Sequence, residues 1–272
     1  MSYNWINAED YSMDTLLLFD RWVIRYIMNE NKWYDNETRS YKTDMARALS
    51  RYPYVKAFCV KKAPECESFI KEINAVDISG LSENEARAAE NAVLSALETF
   101  VVYAYPSVME QVNYIRCWNP QRLYDLADLD GKLVLDVGAG TGRLAFAAAK
   151  RARKVYASEP CDMLREYMRD KIRQNGIGNV KVLDGEGLNL PFEDSVFDVV
   201  MCGHVVGDFY DGEIVELTRV AKNGGLIVCC NGDDEFRREA PDKELVDRGF
   251  EFFCYESGAG GITYNYTKKV IK

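Results

Sequence analysis

The sequence has one histidine, no C-x-x-C pair and no run of about 20 apolar residues. The eight cysteines do not form a recognisable zinc motif, because His204 alone cannot complete a Cys/His cluster. Several cysteines lie in apolar runs, which is typical of small buried hydrophobic residues. Free thiols of this kind are expected in a reducing cytoplasm. Residues 1–5 lack the basic-then-apolar layout of a signal peptide. We therefore expect a cytoplasmic protein with no metal, no membrane span and no membrane partner.

Positive charge is also scarce. The chain carries 34 Lys and Arg against 43 Asp and Glu, a formal net charge of −9. Such a surface repels phosphate backbones, so no nucleic-acid partner is expected. One basic run, at residues 150–154, is interpreted as the end of a helix, where cations complement the helix dipole.

The hydrophobic pattern of the sequence changes near residue 125. The first part is patterned for helices, and Ser82 with Glu85 predicts a capping box. The helices are predicted at 15–28, 41–50, 54–73 with a break near Pro64, 82–103 and 107–117. The apolar stripe within 16–27 is interpreted as core or as a homodimer contact. Residues 1–125 are therefore expected to form a helical region that covers the substrate.

After residue 125, short apolar runs alternate with helical segments, which is typical of βαβ units on a parallel sheet. Strands are predicted at 133–137, 154–158, 180–183, 196–202 and 226–231, and helices at 142–152, 161–175 and 212–221. Residues 250–255 and 262–270 flank a glycine-rich turn and predict a hairpin. Residues 126–272 are thus expected to form a Rossmann-like α/β domain.

A glycine loop joins the first predicted strand to its helix, in the order Asp136-Val137-Gly138-Ala139-Gly140-Thr141-Gly142-Arg143. Glycine lets the backbone turn sharply and lets a ligand approach closely. Dinucleotide binders place a third glycine where Arg143 stands, which disfavours a nicotinamide oxidoreductase. Asp136 would repel a pyrophosphate but suits a ligand with an ammonium group, such as S-adenosylmethionine.

A second acidic residue, Glu159, ends the second predicted strand. It lies 21 residues after Gly138, near the spacing at which an acid receives ribose hydroxyls. The alternative is a solvated carboxylate at a strand end. The glycine loop, Asp136 and Glu159 together predict an adenosyl ligand without phosphate.

On these residues the sequence resembles class I S-adenosylmethionine-dependent methyltransferases, especially those of ubiquinone and menaquinone biosynthesis. The resemblance covers roughly residues 126–272, and 135–142 look like the family's first motif. Residues 185–192, 195–200 and 217–225 are similar to its later segments, although Glu186 and Asn223 replace the usual aspartate and proline. The resemblance implies a seven-stranded, mostly parallel sheet with an antiparallel last strand. No family motif covers residues 1–120.

The same resemblance implies S-adenosylmethionine as the cofactor and assigns residues to it. The three glycines would contour the methionine part, Asp136 would hold its amino end, and Glu159 would bind the ribose. Met163, whose alternative is a core position, would pack on the adenine with Glu186 and Gly187 at its edge. The implied cofactor contacts are Asp136, Gly138, Ala139, Gly140, Gly142, Glu159, Pro160, Met163, Glu186, Gly187 and Cys202.

Catalytic groups are expected after the fourth strand, where Cys202-Gly203-His204 stands. With an ordinary pKa of about 6.5, His204 suits a base that deprotonates the substrate. The alternative is a histidine that hydrogen-bonds the loop or touches the cofactor. Asp208, Asp233 and Asp234 could assemble a magnesium site, but Asp233 and Asp234 suit a helix N-cap and first turn better. We therefore assign no metal site.

Three functions remain open from the sequence. Methyl transfer to a small molecule by in-line displacement is favoured. A protein or peptide methyltransferase is the first alternative, and a non-catalytic S-adenosylmethionine-binding protein is the second. Trp118 and Tyr114 are interpreted either as core or as the wall of an apolar pocket.

Overall fold

The chain divides into two compact units that meet in sequence between Tyr105 and Pro106. The computed structural model describes residues 11–29, 34–233, 237–258 and 260–272. The boundary expected at 125/126 therefore lies later in the chain than the boundary between the compact units. Residues 106–126 belong with the second unit because their side chains bond to its helices. The Tyr124 hydroxyl, for example, donates to the carbonyl of Ala147 over 2.9 Å.

Described residues of the first unit form helices joined by short 3-10 turns. The helices are α1 (Arg21–Ile27), α2 (Tyr41–Ala48), α3 (Pro53–Lys62), α4 (Glu67–Asn74), α5 (Glu83–Leu97) and α6 (Val101–Ala104). The 3-10 turns span Met13–Leu18, Leu49–Arg51, Pro64–Cys66 and Glu98–Phe100. The capping box is confirmed, since Ser82 and Glu85 exchange side-chain and backbone bonds. Leu16, Val23 and Ile27 are buried, which places the apolar stripe in this unit's core.

Three helices predicted as continuous are interrupted, the one over 82–103 by the 3-10 turn Glu98–Phe100. The prediction of one helix over 15–28 was wrong, because Asp20 starts a new helix there. Its carboxylate accepts from the backbone N–H groups of Trp22 and Val23 over 3.0 and 3.2 Å. The predicted helix over 107–117 is also split, since Val112 adopts an extended conformation (ψ 143°) between two short helices.

The second unit carries a seven-stranded sheet. Its strands are β1 (Leu133–Val137), β2 (Lys154–Ser158), β3 (Val180–Leu183), β4 (Phe197–Cys202), β5 (Ala221–Cys229), β6 (Glu251–Glu256) and β7 (Ile262–Lys269). Its helices are α7 (Pro106–Met109), α8 (Asn113–Arg116), α9 (Gln121–Leu126), α10 (Arg143–Ala149), α11 (Asp162–Asn175), α12 (Tyr210–Val220) and α13 (Lys243–Asp247). None of the helices in the described ranges has the length and apolar content needed to cross a membrane.

The strand order β3-β2-β1-β4-β5-β7-β6 confirms the predicted α/β class. Strands β1 to β5 pair in parallel, whereas β7 runs antiparallel to both β5 and β6. The predicted hairpin is therefore confirmed as β6 and β7. Strand β5 starts earlier than predicted, because Ala221 pairs with Phe197 across an irregularity in the register. The order reverses beside β1, so the carboxyl ends of β1 and β4 border a crevice suited to a ligand.

Candidate functional site

The glycine loop runs from the end of β1 into α10. Gly138, Gly140 and Gly142 all have positive φ, of 63°, 58° and 93°. Side chains other than glycine are strained in that region of backbone conformation. Gly142 is also the N-cap residue of α10. The backbone itself therefore requires the glycine at each of the three positions expected to contour the cofactor.

Val205, in the segment after β4, packs against this loop. A Cβ built on Gly138 would lie only 2.5 Å from Cγ2 of Val205. A Cβ on Gly187 would lie 3.3 Å from Cγ1 of the same side chain. One valine thus packs between two glycines that were both expected to contact the cofactor. The sequence did not single out Val205, since nothing local marks a valine that meets two distant glycines.

Asp136 is buried without a hydrogen-bonding partner. It is only 1% exposed, and neither carboxylate oxygen has a hydrogen bond to the residues that the structure describes. Burial raises its pKa to about 8, although the charge of Arg143 opposes the rise. A buried carboxylate of this kind is costly unless a cation or donor meets it. Asp136 therefore fits a ligand that brings an ammonium group to the loop.

Arg143 is a half-buried cation near this loop. Its guanidinium donates to the carbonyl of Cys230 over 2.9 Å and lies 4.6 Å above the ring of Trp118. Trp118 is buried, so the core interpretation of this residue holds. From the sequence, Arg143 was only the residue that broke a dinucleotide pattern. In the structure it is a fixed positive charge that lowers the cost of burying Asp136.

Glu159 ties β2 to the glycine loop. Its Oε2 accepts from the backbone N–H of Gly140, and its Oε1 from that of Cys161, each over 2.9 Å. The residue is 4% exposed, so the alternative of a solvated carboxylate was wrong. Ala139 adds a second tie, because its N–H donates to the carbonyl of Ser158 over 3.0 Å. The ribose role of Glu159 stays a prediction, as does the contact expected of Pro160, which follows it.

Met163 stands in the first turn of α11 and is 46% exposed. The core interpretation of this residue was therefore wrong. An exposed thioether close in sequence to Glu159 agrees with the expected apolar contact to the adenine, and that contact stays a prediction.

The segment after β3 forms a turn at the same edge of the sheet. The N–H of Asn189 donates to the carbonyl of Glu186 over 3.0 Å. The hydroxyl of Ser158 donates to the carbonyl of Gly185 over 3.0 Å, which fixes the turn to β2. Glu186 and Gly187 are thereby held near the end of β2, as the expected adenine contact requires.

Cys202 ends β4 and faces Cys229 of β5. The two sulfur atoms are 3.7 Å apart and both residues are buried. The contact with Cys229 and burial raise the pKa of the Cys202 thiol well above its usual value. A neutral, buried thiol here shapes the end of the strand, and its contact with the cofactor stays a prediction.

His204 has a left-handed backbone conformation, with φ of 59°. The imidazole Nε2 accepts from the backbone N–H of Gly232 over 2.9 Å. The backbone N–H of His204 donates to Oδ1 of Asn231 over 3.0 Å. The ring of Tyr114 meets the imidazole edge-on, with 5.4 Å between centroids. This agrees with the alternative of a histidine hydrogen-bonded to the loops. The base role stays a prediction.

Asp233 holds the terminal hairpin. It is 2% exposed, and its two oxygens accept from the hydroxyl of Tyr255 over 3.2 Å and the N–H of Gly258 over 2.7 Å. These bonds occupy the carboxylate that the magnesium hypothesis required. The helix expected to begin at Asp233 and Asp234 depends on residues 234–236, which lie outside the described residues.

A polar cavity of about 230 Å³ opens at the carboxyl ends of β4 and β5. It is bounded on the other side by α12, α13 and β7. Its lining comprises Cys202, His204, Val206, Gly207, Tyr210, Cys229, Asn231, Gly232, Arg238, Asp242, Leu245, Thr263, Tyr264 and Tyr266. Within it, the Tyr210 hydroxyl donates to Oδ2 of Asp242 over 2.6 Å, and the Asp242 N–H donates to the Tyr266 hydroxyl over 2.7 Å.

Comparison with known proteins identifies the domain that carries these features. Residues 135–229 match the family described as "Methyltransferase domain". This stretch therefore resembles a methyltransferase domain over about a third of the chain. The match spans β1 through β5 and so includes the glycine loop, Glu159 and His204. The predicted resemblance to class I methyltransferases is confirmed, and S-adenosylmethionine is the methyl donor that it implies.

Individual relatives of the methyltransferase domain share about a third of its residues. Demethylmenaquinone methyltransferase of Geobacillus kaustophilus (strain HTA426) is 36% identical over 104 residues, which are 36% of this chain and 44% of that protein. The protein of the same name from Thermobifida fusca (strain YX) is 32% identical over 120 residues, 42% of this chain and 50% of that protein. The chain thus spans about half the length of the curated relatives it matches.

The fold of the methyltransferase domain is also found among solved structures. The crystal structure of a SAM-dependent methyltransferase from Aquifex aeolicus has a TM-score of 0.51 and 20% identity. The alignment covers 62% of this chain and 98% of the Aquifex aeolicus chain. At this identity the likeness establishes the fold, which agrees with the seven-stranded sheet described above.

Proposed function

We propose that residues 106–272 bind S-adenosylmethionine and transfer its methyl group to a small-molecule acceptor by in-line displacement. The observation that carries the proposal is the buried, unbonded carboxylate of Asp136 next to the glycine loop. An ammonium group stabilises the ionised form of this carboxylate, whereas a pyrophosphate would destabilise it, so the group favours an aminoacyl-adenosyl ligand over a dinucleotide. When bound, S-adenosylmethionine supplies a methyl group on a sulfonium, which is a good leaving group.

The other expected contacts line the same edge of the sheet. Gly138, Gly140 and Gly142 present backbone to the methionine part, and Glu159 anchors the loop while facing the ribose. Met163, Glu186 and Gly187 offer apolar and polar contacts to the adenine. In this arrangement the protein's contribution is largely placement, because an in-line displacement needs the nucleophile near 3 Å and aligned.

The acceptor is proposed from the relatives. The relatives are named demethylmenaquinone methyltransferases, and the acceptor in that name is a small molecule. The name of these relatives, which match about half of their own length to this chain, supports a small-molecule acceptor. It supports a small molecule more strongly than a protein acceptor, for which no described residue offers a specific signal.

Calorimetric titration and thermal melts test the cofactor. We expect S-adenosylmethionine and its demethylated product to bind and NAD to have no effect. At 100 times Kd, a ligand adds about 2.7 kcal/mol to the free energy of unfolding. Stabilisation by NAD alone would contradict the proposal.

Transfer of a labelled methyl group then tests the reaction. We expect label in a small-molecule extract and none in a protein extract. Label in protein alone would favour a protein methyltransferase, and turnover in neither extract would favour a non-catalytic binding protein.

A further inference from the structure

The polar cavity at the ends of β4 and β5 lies beside the loop that covers the glycines. Val205 of this loop packs against Gly138 and Gly187, whereas the next residue, Val206, lines the cavity. Consecutive side chains of one loop therefore face the expected cofactor site and the cavity. His204, on the same loop, also lines the cavity and is fixed by Gly232. This arrangement places the cavity next to the glycines that are expected to hold the cofactor.

Several of the groups that line the cavity are polar. Tyr266 accepts a hydrogen bond from the N–H of Asp242, and no bond from its own hydroxyl proton is seen among the described residues. The Tyr210 proton is committed to Asp242. Burial raises the pKa of Tyr266, and the bond to Asp242 raises that of Tyr210 to about 12, so both hydroxyls stay protonated near neutral pH. Arg238 adds positive charge to the lining.

The size of the cavity limits its occupant. Its volume of about 230 Å³ is below the ~300–1,000 Å³ of pockets for drug-sized ligands. An apolar chain placed here would leave the hydroxyl proton of Tyr266 without an acceptor, at a cost of about 1–3 kcal/mol for a buried group. A single ring with oxygen substituents satisfies both constraints.

We propose that this cavity is the acceptor subsite, and that it selects a compact, one-ring acceptor which presents a hydroxyl or carboxylate oxygen to Tyr266. The inference rests on the proposed methyltransferase function and deepens it. It also means that any long apolar substituent of the acceptor must lie outside the cavity.

Ligand-observed NMR with the full chain tests the inference in the presence of S-adenosylhomocysteine. The probes are catechol and 4-hydroxybenzoate, with toluene as an apolar ring of similar size. We expect the oxygenated probes to bind and toluene not to bind at the same concentration. Tyr266→Phe should weaken the oxygenated probes about 3- to 10-fold, the effect of one lost hydrogen bond. Tyr124→Phe, which removes a hydroxyl bonded to α10, is the matched control and should leave binding unchanged.

A second variant keeps the test decisive if Tyr266→Phe disturbs the fold. Val206→Phe should fill the cavity and abolish probe binding while S-adenosylhomocysteine affinity stays within about twofold, because only the neighbouring Val205 faces the glycines. Toluene binding as tightly as catechol, or probe binding that survives Val206→Phe, would overturn the inference and leave the cofactor proposal standing. If S-adenosylhomocysteine itself fails to bind, the proposed function and this inference fall together.

Discussion

The carboxylate of Glu159 accepts a hydrogen bond from the backbone N–H of Gly140, with 2.9 Å between Oε2 and the nitrogen. The acid at the end of β2 therefore holds the glycine loop in shape, besides any contact it makes with a ligand. This coupling means that loop geometry and ribose recognition depend on one side chain. A substitution at this position should affect both, and the two effects can be measured separately.

Glu159→Gln should lower both stability and cofactor affinity. A carboxamide has one acceptor oxygen, so either Gly140 or Cys161 loses its partner, which costs about 1–3 kcal/mol. We expect a lower midpoint in urea unfolding and at least tenfold weaker S-adenosylmethionine binding by calorimetry. Glu193→Gln, on an exposed residue, is the control and should change neither quantity. Unchanged affinity in Glu159→Gln would contradict the assigned ribose role.

Gly138→Ala should destabilise the protein more than Gly176→Ala. The two glycines have nearly equal φ, 63° and 61°, but a Cβ at Gly176 meets nothing within 4 Å. Left-handed strain alone costs roughly 1–2 kcal/mol. We expect about this loss for Gly176→Ala, and a larger loss with no measurable cofactor binding for Gly138→Ala. Adding Val205→Ala should restore part of the lost stability, and equal losses in the two single variants would show that the Val205 contact is unimportant.

Asp136 should make the stability of the cofactor-free protein fall as pH rises. Its folded pKa of about 8 lies above its ordinary value of 3.8. Between these values the unfolded chain loses the proton that the folded chain keeps, so the free energy of unfolding decreases from about pH 4 to about pH 8. Asp136→Asn removes this dependence. We therefore expect urea unfolding to show the variant gaining stability relative to the parent as pH rises, by an amount on the order of a few kcal/mol.

The same carboxylate should link cofactor affinity to pH. An ammonium group favours the ionised carboxylate, so binding below about pH 8 releases a proton from Asp136. We expect S-adenosylmethionine affinity to increase between about pH 6 and pH 8, and the increase to vanish in Asp136→Asn. Calorimetry in buffers of different ionisation enthalpy would detect the released proton. A pH-independent affinity in the parent protein would argue against contact between Asp136 and the amino group.

His204 is expected to act chiefly through the loops it joins. His204→Ala should lower turnover about 10- to 100-fold, because Gly232 loses its hydrogen-bond acceptor and the loops after β4 and β5 lose their link. His204→Gln keeps an acceptor for that N–H and should recover part of the rate. The pH–rate profile separates the roles, since a general base would leave a limb near neutral pH that disappears in both variants. Full turnover in His204→Ala would exclude both roles.

Local sequence determined much of this protein. The alternation of apolar runs and helical segments predicted the parallel strands, because that pattern buries both faces of a sheet. The three glycines were recognisable because the backbone there has positive φ, which excludes other residues whatever surrounds them. Ser82 and Glu85 predicted the start of α5, because a capping box is complete within four residues. Each of these features depends on near neighbours in the chain.

Tertiary structure alone decided the environment of the site. The oxygens of Asp136 have no hydrogen bond within the described residues, Arg143 lies on Trp118, and Val205 covers two glycines, because the strand order brings distant segments to one edge of the sheet. The cavity beside Tyr266 forms for the same reason, since β4, β5 and β7 supply its walls from separate parts of the chain. Periodicity and spacing report which residues share a strand or helix. Burial, pKa and cavity volume depend on contacts across elements, and these exist only after the chain has folded.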